Sequence, residues 1–187
     1  MRGTAGKNED GDDLSLQLED YINRTADGDI EAMGPLYKLT KVSVYMYALS
    51  YLKNTAEAED AMHDCYVRIC ESAGNYIPNG KPMRWIMTIV KNICLNRLKE
   101  IDRQTYADET EWNNLLRTEG ISSNIQVAEM LGLLTDTERQ IVLLYNTSGF
   151  KLREVASFLD IPLSTVFSKY KRAMKKLRKY YEGDETK

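Results

Sequence analysis

Between residues 163 and 182 stand Lys169, Lys171, Arg172, Lys175, Lys176, Arg178 and Lys179 against the single acid Glu182, a local charge of about +6 in a chain whose total is −3. Ammonium and guanidinium groups neutralise phosphates, so the chemistry on offer is nucleic-acid binding. Read at helical spacing, the segment keeps Leu163, Val166, Tyr170, Ala173 and Leu177 inward and turns Thr165, Ser168, Lys169, Arg172 and Lys176 outward. A solvated helix whose lysines only confer solubility would carry the same stripe. What precedes it favours the nucleic-acid reading.

The elements that must position this helix are legible. Thr135-Asp136-Thr137-Glu138 spells a capping box, in which the Thr hydroxyl and the Glu carboxylate satisfy free amides, and apolar Ile141, Leu144 and Tyr145 follow on one face. Gly149 breaks that run. A second helix places Leu152, Val155, Ala156 and Leu159 at i, i+3, i+4 and i+7, with small Ala156 allowing close approach of a partner. The turn Asp160-Ile161-Pro162 is short: Asp tolerates the left-handed conformation, and Pro162 ends one helix and begins another. Three helices with a sharp corner before the basic one have the layout of a helix-turn-helix.

Composition bounds the rest. The 187 residues, 43% of them hydrophobic, suffice for an all-α fold of two small helical domains joined by a linker. The expected division is an acidic tail at 1–15, a helical domain at 16–101, a linker at 102–124, the helix-turn-helix domain at 125–182 and a tail at 183–187. Charge comes in blocks: residues 1–35 hold nine acids against Arg2, Lys7 and Arg24, whereas 81–103 hold six bases against Glu100 and Asp102. No apolar stretch is long enough to span a bilayer and the polar start is unlike a signal peptide, so a cytoplasmic location is expected. Cys65, Cys70, Cys94 and the single His63 lack metal-ligand spacing, the three cysteines read as buried thiols without disulfide or zinc, and no metal or cofactor is expected. No glycine-rich phosphate loop and no Ser, His and Asp set in catalytic context can be assembled, which argues against an enzyme.

In the first domain, Asp27-Gly28-Asp29 supplies a turn and a helix cap before a tyrosine-rich stretch that runs to about Leu52. Pro35 either kinks that helix or makes it begin only after Gly34. Asn54 caps the next helix, which buries Ala58, Met62, Cys65, Ile69 and Ala73 and lines Glu57, Asp60, Asp64, Arg68 and Glu71 along the other side. A loop with Asn75, Tyr76, Pro78, Asn79, Gly80 and Pro82 leads to a fourth helix. That helix carries Trp85, Ile86, Ile89, Val90, Ile93 and Arg97, with Arg84, Lys91, Asn92 and Lys99 on its polar side. Trp85 reads as a core anchor beside this stripe.

In order along the chain, Glu57-Ala58-Glu59-Asp60, Tyr66-Val67-Arg68, Trp85-Ile86, Val90-Lys91-Asn92 and Asn96-Arg97 resemble region 2 of the sigma-70 family, in particular its extracytoplasmic-function class. Residues 134–177, with Glu154-Val155-Ala156 and Ser164-Thr165-Val166, resemble that class's region 4. The resemblance covers roughly 16–100 and 124–182. It departs from the usual pattern at His63-Asp64, Asn96, Asp160 and Phe167.

The resemblance implies a non-enzymatic transcription initiation factor whose partners are core RNA polymerase and promoter DNA, and it brings an anti-sigma factor into view as a further partner. It assigns Asp60, His63, Asp64, Tyr66, Arg68 and Glu71 to polymerase binding. Asn75, Tyr76, Asn79, Arg84, Lys91, Asn92, Asn96 and Lys99 fall to the melted minus-ten element. At minus thirty-five, Thr165, Ser168, Lys169 and Arg172 would be nearest the bases and Arg153, Lys171 and Lys175 on phosphates, with Ser164 and Phe167 in the same contact set. Two alternatives stay open: a stand-alone helix-turn-helix DNA-binding regulator, and a helical adaptor that has lost promoter recognition.

Overall fold

A computed structural model describes the backbone of residues 6–102 and 131–184, and the side chains of 13–100 and 131–182. The expected linker at 102–124 and the start of the second domain lie almost wholly outside the described residues. Helix α1 (Gly6–Ala26) is followed by a 3-10 turn (Ile30–Ala32), α2 (Met33–Leu52), α3 (Thr55–Ser72), a second 3-10 turn (Ala73–Asn75) and α4 (Pro82–Asp102). The second cluster comprises α5 (Asp136–Asn146), α6 (Leu152–Leu159) and α7 (Leu163–Asp184). The described residues contain no strand, and the fold is all-α. No described helix is long and apolar enough to cross a membrane.

Local chemistry sets most helix ends. Asn54 is extended (φ −140°, ψ 128°) and its Oδ1 accepts from the Glu57 amide at 3.0 Å, while Lys53 takes the left-handed conformation that closes α2. Asp29 caps the first 3-10 turn through the Glu31 amide at 3.0 Å. α2 starts at Met33 and runs through Gly34 without a break. Pro35 therefore lies in its first turn, where amides have no intrahelical acceptor and a missing N–H costs nothing. α1 begins at Gly6, inside the segment expected to be a tail.

Helix α2 decides the architecture. All eight residues 43–50 are buried, including Ser43 and Ser50, although a surface helix would expose its polar face. The cause is that α2 packs against α1, α3 and α4 and also against α5 of the second cluster. Ser43 Oγ donates to the Thr147 carbonyl at 2.9 Å, the Tyr47 ring meets Phe158 edge-on at 6.0 Å, and Lys53 pairs with Asp136 at 3.0 Å. One apolar cluster from Leu18 to Leu177 thus runs through both groups of helices.

Candidate nucleic-acid interface

The second cluster builds the basic helix as expected. The Thr135 box is complete: Glu138 N donates to Thr135 Oγ1 at 3.4 Å and Thr135 N donates to the Glu138 carboxylate at 3.0 Å. Asp160 takes φ 55° and ψ 47°, its amide closing on Ala156 O, and the Val166 amide bonds to Pro162 O at 3.1 Å as α7 begins. Val166 and Ala173 are fully buried, and Tyr170 meets Tyr145 edge-on at 4.9 Å. Arg153, Ser164, Phe167, Ser168, Lys171, Arg172 and Lys175 are exposed, whereas Thr165 and Lys169 are half-buried. Phe167 is 54% exposed, an apolar ring on the face expected to meet bases.

One basic residue departs from that face. Lys176 turns back to the α5 carboxylate of Glu138 at 2.7 Å and to the Leu133 carbonyl at 3.3 Å. Glu138 is 1% exposed, and a buried carboxylate requires a cation or several donors, so the nearest lysine on α7 is drawn inward. Burial raises the Glu138 pKa, but the hydrogen bonds from Lys176 and the Thr135 amide outweigh it and hold the carboxyl below the usual range.

The loop before α4 is also more structured than its composition implies. Asn75, Ile77, Pro78, Asn79 and Gly80 are exposed, but Tyr76 is buried. Its ring packs on Trp85 at 5.1 Å between centroids, and its hydroxyl donates to Glu19 Oε1 at 2.6 Å. Tyr76 here is a structural anchor, not a ring presented for base stacking. The same Glu19 oxygen accepts from the backbone amides of Asn79 at 2.9 Å and Gly80 at 2.8 Å. Gly80 has φ +71°, a conformation only glycine adopts freely, and Asn79 Oδ1 accepts from the Lys81 amide at 3.1 Å. Trp85 is partly buried against the core, in line with its expected anchoring role.

On α4, Asn92, Asn96 and Lys99 are exposed, whereas Arg84 and Lys91 are half-buried against α6. Arg84 donates to Ser157 Oγ at 3.3 Å. Lys91 donates to the Phe158 carbonyl at 2.6 Å, with its ammonium 4.8 Å from the Phe158 ring centroid. Burial pulls the Lys91 pKa down, against the opposing charge of Asp160. Lys81 pairs with Glu154 at 2.6 Å, whose carboxylate also accepts from the Lys151 amide and so holds the start of α6. Two bases expected at the minus-ten element thus face the helix-turn-helix in this arrangement. Sequence pattern assigns no site role to Glu19 or Lys81. Lys81 sits beside the loop, but no local pattern marks Glu19, whose partners lie 57 to 61 residues away.

The acidic helix α3 exposes Asp60, His63, Asp64, Arg68 and Glu71. Tyr66 is not on that face: it is buried, its hydroxyl within 2.8 Å of Thr40 Oγ1 and its ring edge-on to Tyr37 at 4.8 Å. Helical geometry puts it beside Cys65, toward α2. Arg97 of α4 reaches across to Asp64 at 2.6 Å and Glu57 at 2.7 Å, with Asp60 at 4.0 Å, and so neutralises part of the stripe internally. Arg68 pairs with Glu71 at 3.0 Å. Among the described residues no group of three or more His, Cys, Asp or Glu side chains could hold a metal ion. Cys65 and Cys94 are buried, which pushes both thiols up to about 12, while Cys70 is exposed, contrary to the expectation for all three.

The profile of sigma-70 region 2 matches residues 36–104 and that of sigma-70 region 4 matches residues 124–177. Similar proteins include the ECF RNA polymerase sigma factor SigK of Mycobacterium sp. (strain KMS), 21% identical over 88% of this chain and 91% of that one. The SigK of Mycobacterium tuberculosis (strain ATCC 25177 / H37Ra) is 26% identical over 88% of this chain and 94% of its own. In fold the chain is similar to CnrH, solved with the cytosolic domain of CnrY, at a TM-score of 0.59 and 20% identity over 90% of this chain and 99% of that one. It is also similar to RpoE of Bartonella quintana, solved with the anti-sigma factor NepR, at a TM-score of 0.58 and 15% identity over 82% and 98%. The two region matches together span about two thirds of the sequence, in the order in which the acidic and basic helices occur, and the chain belongs to the sigma-70 family of RNA polymerase sigma factors, in its extracytoplasmic-function class.

Proposed function

We propose that this sigma factor docks on core RNA polymerase through the exposed acids of α3, reads the melted minus-ten element with residues 75–81 and the exposed edge of α4, and lays α7 in the major groove at minus thirty-five. As a sigma factor it directs the polymerase to promoters and is not an enzyme. The observation that carries the residue assignment is the sorting of charge. Arg153, Lys171, Arg172 and Lys175 point to solvent, whereas Lys176 is tied to a buried acid. On α3, Asp60 and Glu71 point to solvent, the sign that attracts a basic partner surface.

Arg84 and Lys91 reach the minus-ten strand only if α6 leaves α4, so promoter engagement entails exchange of the Ser157 and Phe158 contacts for phosphates. Core polymerase, acting in the cytoplasm, supplies the binding energy that separates the two clusters. By likeness to CnrH and RpoE, an anti-sigma protein is a further partner. A stand-alone regulator built on a receiver domain would need alternating strands and helices, and residues 6–102 are helical without a strand. Run-off transcription on genomic fragments with purified core enzyme tests the reading: defined start sites that depend on this chain are expected. Starts unchanged from core alone would refute it, and tight, sequence-selective binding by the isolated chain would favour the stand-alone regulator.

A further inference from the structure

The loop that joins α3 to α4 is organised around one oxygen. Glu19 stands on α1 beside Leu18 and one turn before Ile22, both fully buried, so its backbone is held by the core. From there Oε1 accepts three hydrogen bonds, from the Tyr76 hydroxyl at 2.6 Å and the amides of Asn79 and Gly80 at 2.9 and 2.8 Å. Three donors on one carboxylate oxygen form a charge-assisted knot, stronger than neutral hydrogen bonds of the same number. Burial raises the Glu19 pKa, yet these donors hold it below the usual range. Between the two ends of the knot, Ile77 and Pro78 project outward, Ile77 being 77% exposed.

Two further contacts complete the device. The Tyr76 ring leans on Trp85, the anchor of α4, and Asn79 Oδ1 accepts from Lys81 N at the entry to that helix. Without Glu19, the amides of Asn79 and Gly80 lose their acceptor and turn to water. The exposed stretch 77–80 is then tethered only at its ends, and its entropy rises. A loop that reads unstacked bases needs a fixed shape, because discrimination comes from side chains and backbone groups held at hydrogen-bond distance from one base and not another.

We infer that Glu19, a residue of α1 outside the expected contact set, is a positioning residue for minus-ten recognition: it holds residues 76–80 in the shape that selects the flipped base. The inference rests on the assignment of this loop to the minus-ten element. Glu19 does not touch DNA. It acts through the backbone of Asn79 and Gly80, which distinguishes it from the α4 side chains proposed to hold phosphates.

The test uses the full chain assembled with core polymerase and a promoter library randomised at minus ten. Discrimination of roughly tenfold or more per base is the ordinary yield of a specific contact. Glu19→Ala is expected to bring the loop-read position towards parity, while affinity for core enzyme and preference at minus thirty-five stay as in the parent. Glu19→Gln, which keeps the shape and one acceptor oxygen but loses the charge, is expected to restore part of the preference, and it serves where the alanine variant folds poorly. Hydrogen exchange at the Asn79 and Gly80 amides is expected to accelerate in both variants in the same order. An unchanged minus-ten preference in both variants, alongside faster exchange, would overturn the inference. Ile77→Ala and Asn79→Ala separate the two levels. If these loop variants shift the preference and the Glu19 variants do not, the positioning role fails alone. If none shifts it, the loop assignment fails and the positioning role falls with it.

Discussion

Lys175 and Lys176 are neighbours on α7, yet the structure gives them different work, and converting each to methionine separates folding from DNA binding. Lys176→Met removes the cation from Glu138, a carboxylate that is 1% exposed. Breaking a fully buried pair costs about 3–5 kcal/mol. Here the lysine side chain is 36% exposed, and the Thr135 amide still donates to Glu138, so screening and the remaining hydrogen bond reduce the expected loss to about 1–2 kcal/mol. For a chain of this length that corresponds to a fall in Tm of about 2–8 °C. The loss has a definite pH dependence. Because the folded-state pKa of Glu138 is depressed, its contribution is full above the ordinary carboxylate value of 4.5 and is lost as pH falls through the lower folded value. The gap between parent and Lys176→Met is therefore expected to close in acid. Lys175→Met, at an exposed position, is expected to change stability by less than about 0.5 kcal/mol. In the polymerase complex it should instead lower the slope of log affinity against log salt by about 1, the signature of one lost phosphate contact. Urea denaturation of the chain across pH 3–7 and salt titration of promoter binding measure both. Equal destabilisation by the two variants, or a reduced salt slope with Lys176→Met, would refute the division.

Three further outcomes are expected. Asp60→Lys, on the solvent side of α3, is expected to weaken competition for core polymerase with helicity unchanged by circular dichroism; unaltered competition would remove this face from the docking surface. Dyes on cysteines placed at Thr88 and Ser157, with Cys70 changed to Ser, are expected to report energy transfer that drops when core enzyme and promoter bind. A constant signal would mean that Arg84 and Lys91 remain against α6 during initiation. Finally, Lys171→Ala is expected to weaken all promoters alike, whereas Ser168→Ala alters the preferred minus-thirty-five bases; an identical selected consensus for both variants would contradict the groove placement.

Much of the second cluster follows from interactions within one helical turn. The Thr135 box, the left-handed Asp160 and the apolar spacing of Val166, Ala173 and Leu177 concern residues near one another in sequence, so each can be read before any tertiary structure is known. The same holds for the Asn54 cap and the inward face of α3, where Ala58, Met62, Cys65 and Ile69 are all buried. At Gly34-Pro35 local rules fall short: α2 starts at Met33, before the expected start after Gly34, because Pro35 in the first turn needs no intrahelical acceptor.

The rest lies in partnerships between distant residues. Periodicity puts Lys176 on the polar side of α7 but cannot foresee that α5, 38 residues earlier, sets a buried Glu138 within its reach. It puts Tyr66 next to a buried position without revealing Thr40 as its partner, and it reads Tyr76 as a free ring because Glu19 and Trp85 close over it only in the folded chain. The burial of residues 43–50 on every side of α2 likewise depends on a second cluster of helices arriving from beyond residue 130. Helix type, caps and charged faces arise from contacts a few residues apart, whose geometry the backbone dictates. Which charged groups remain free for polymerase or DNA depends on where the helices pack, because burial and a nearby counter-charge, set only at that stage, decide whether an ionic side chain meets water or another part of the same protein.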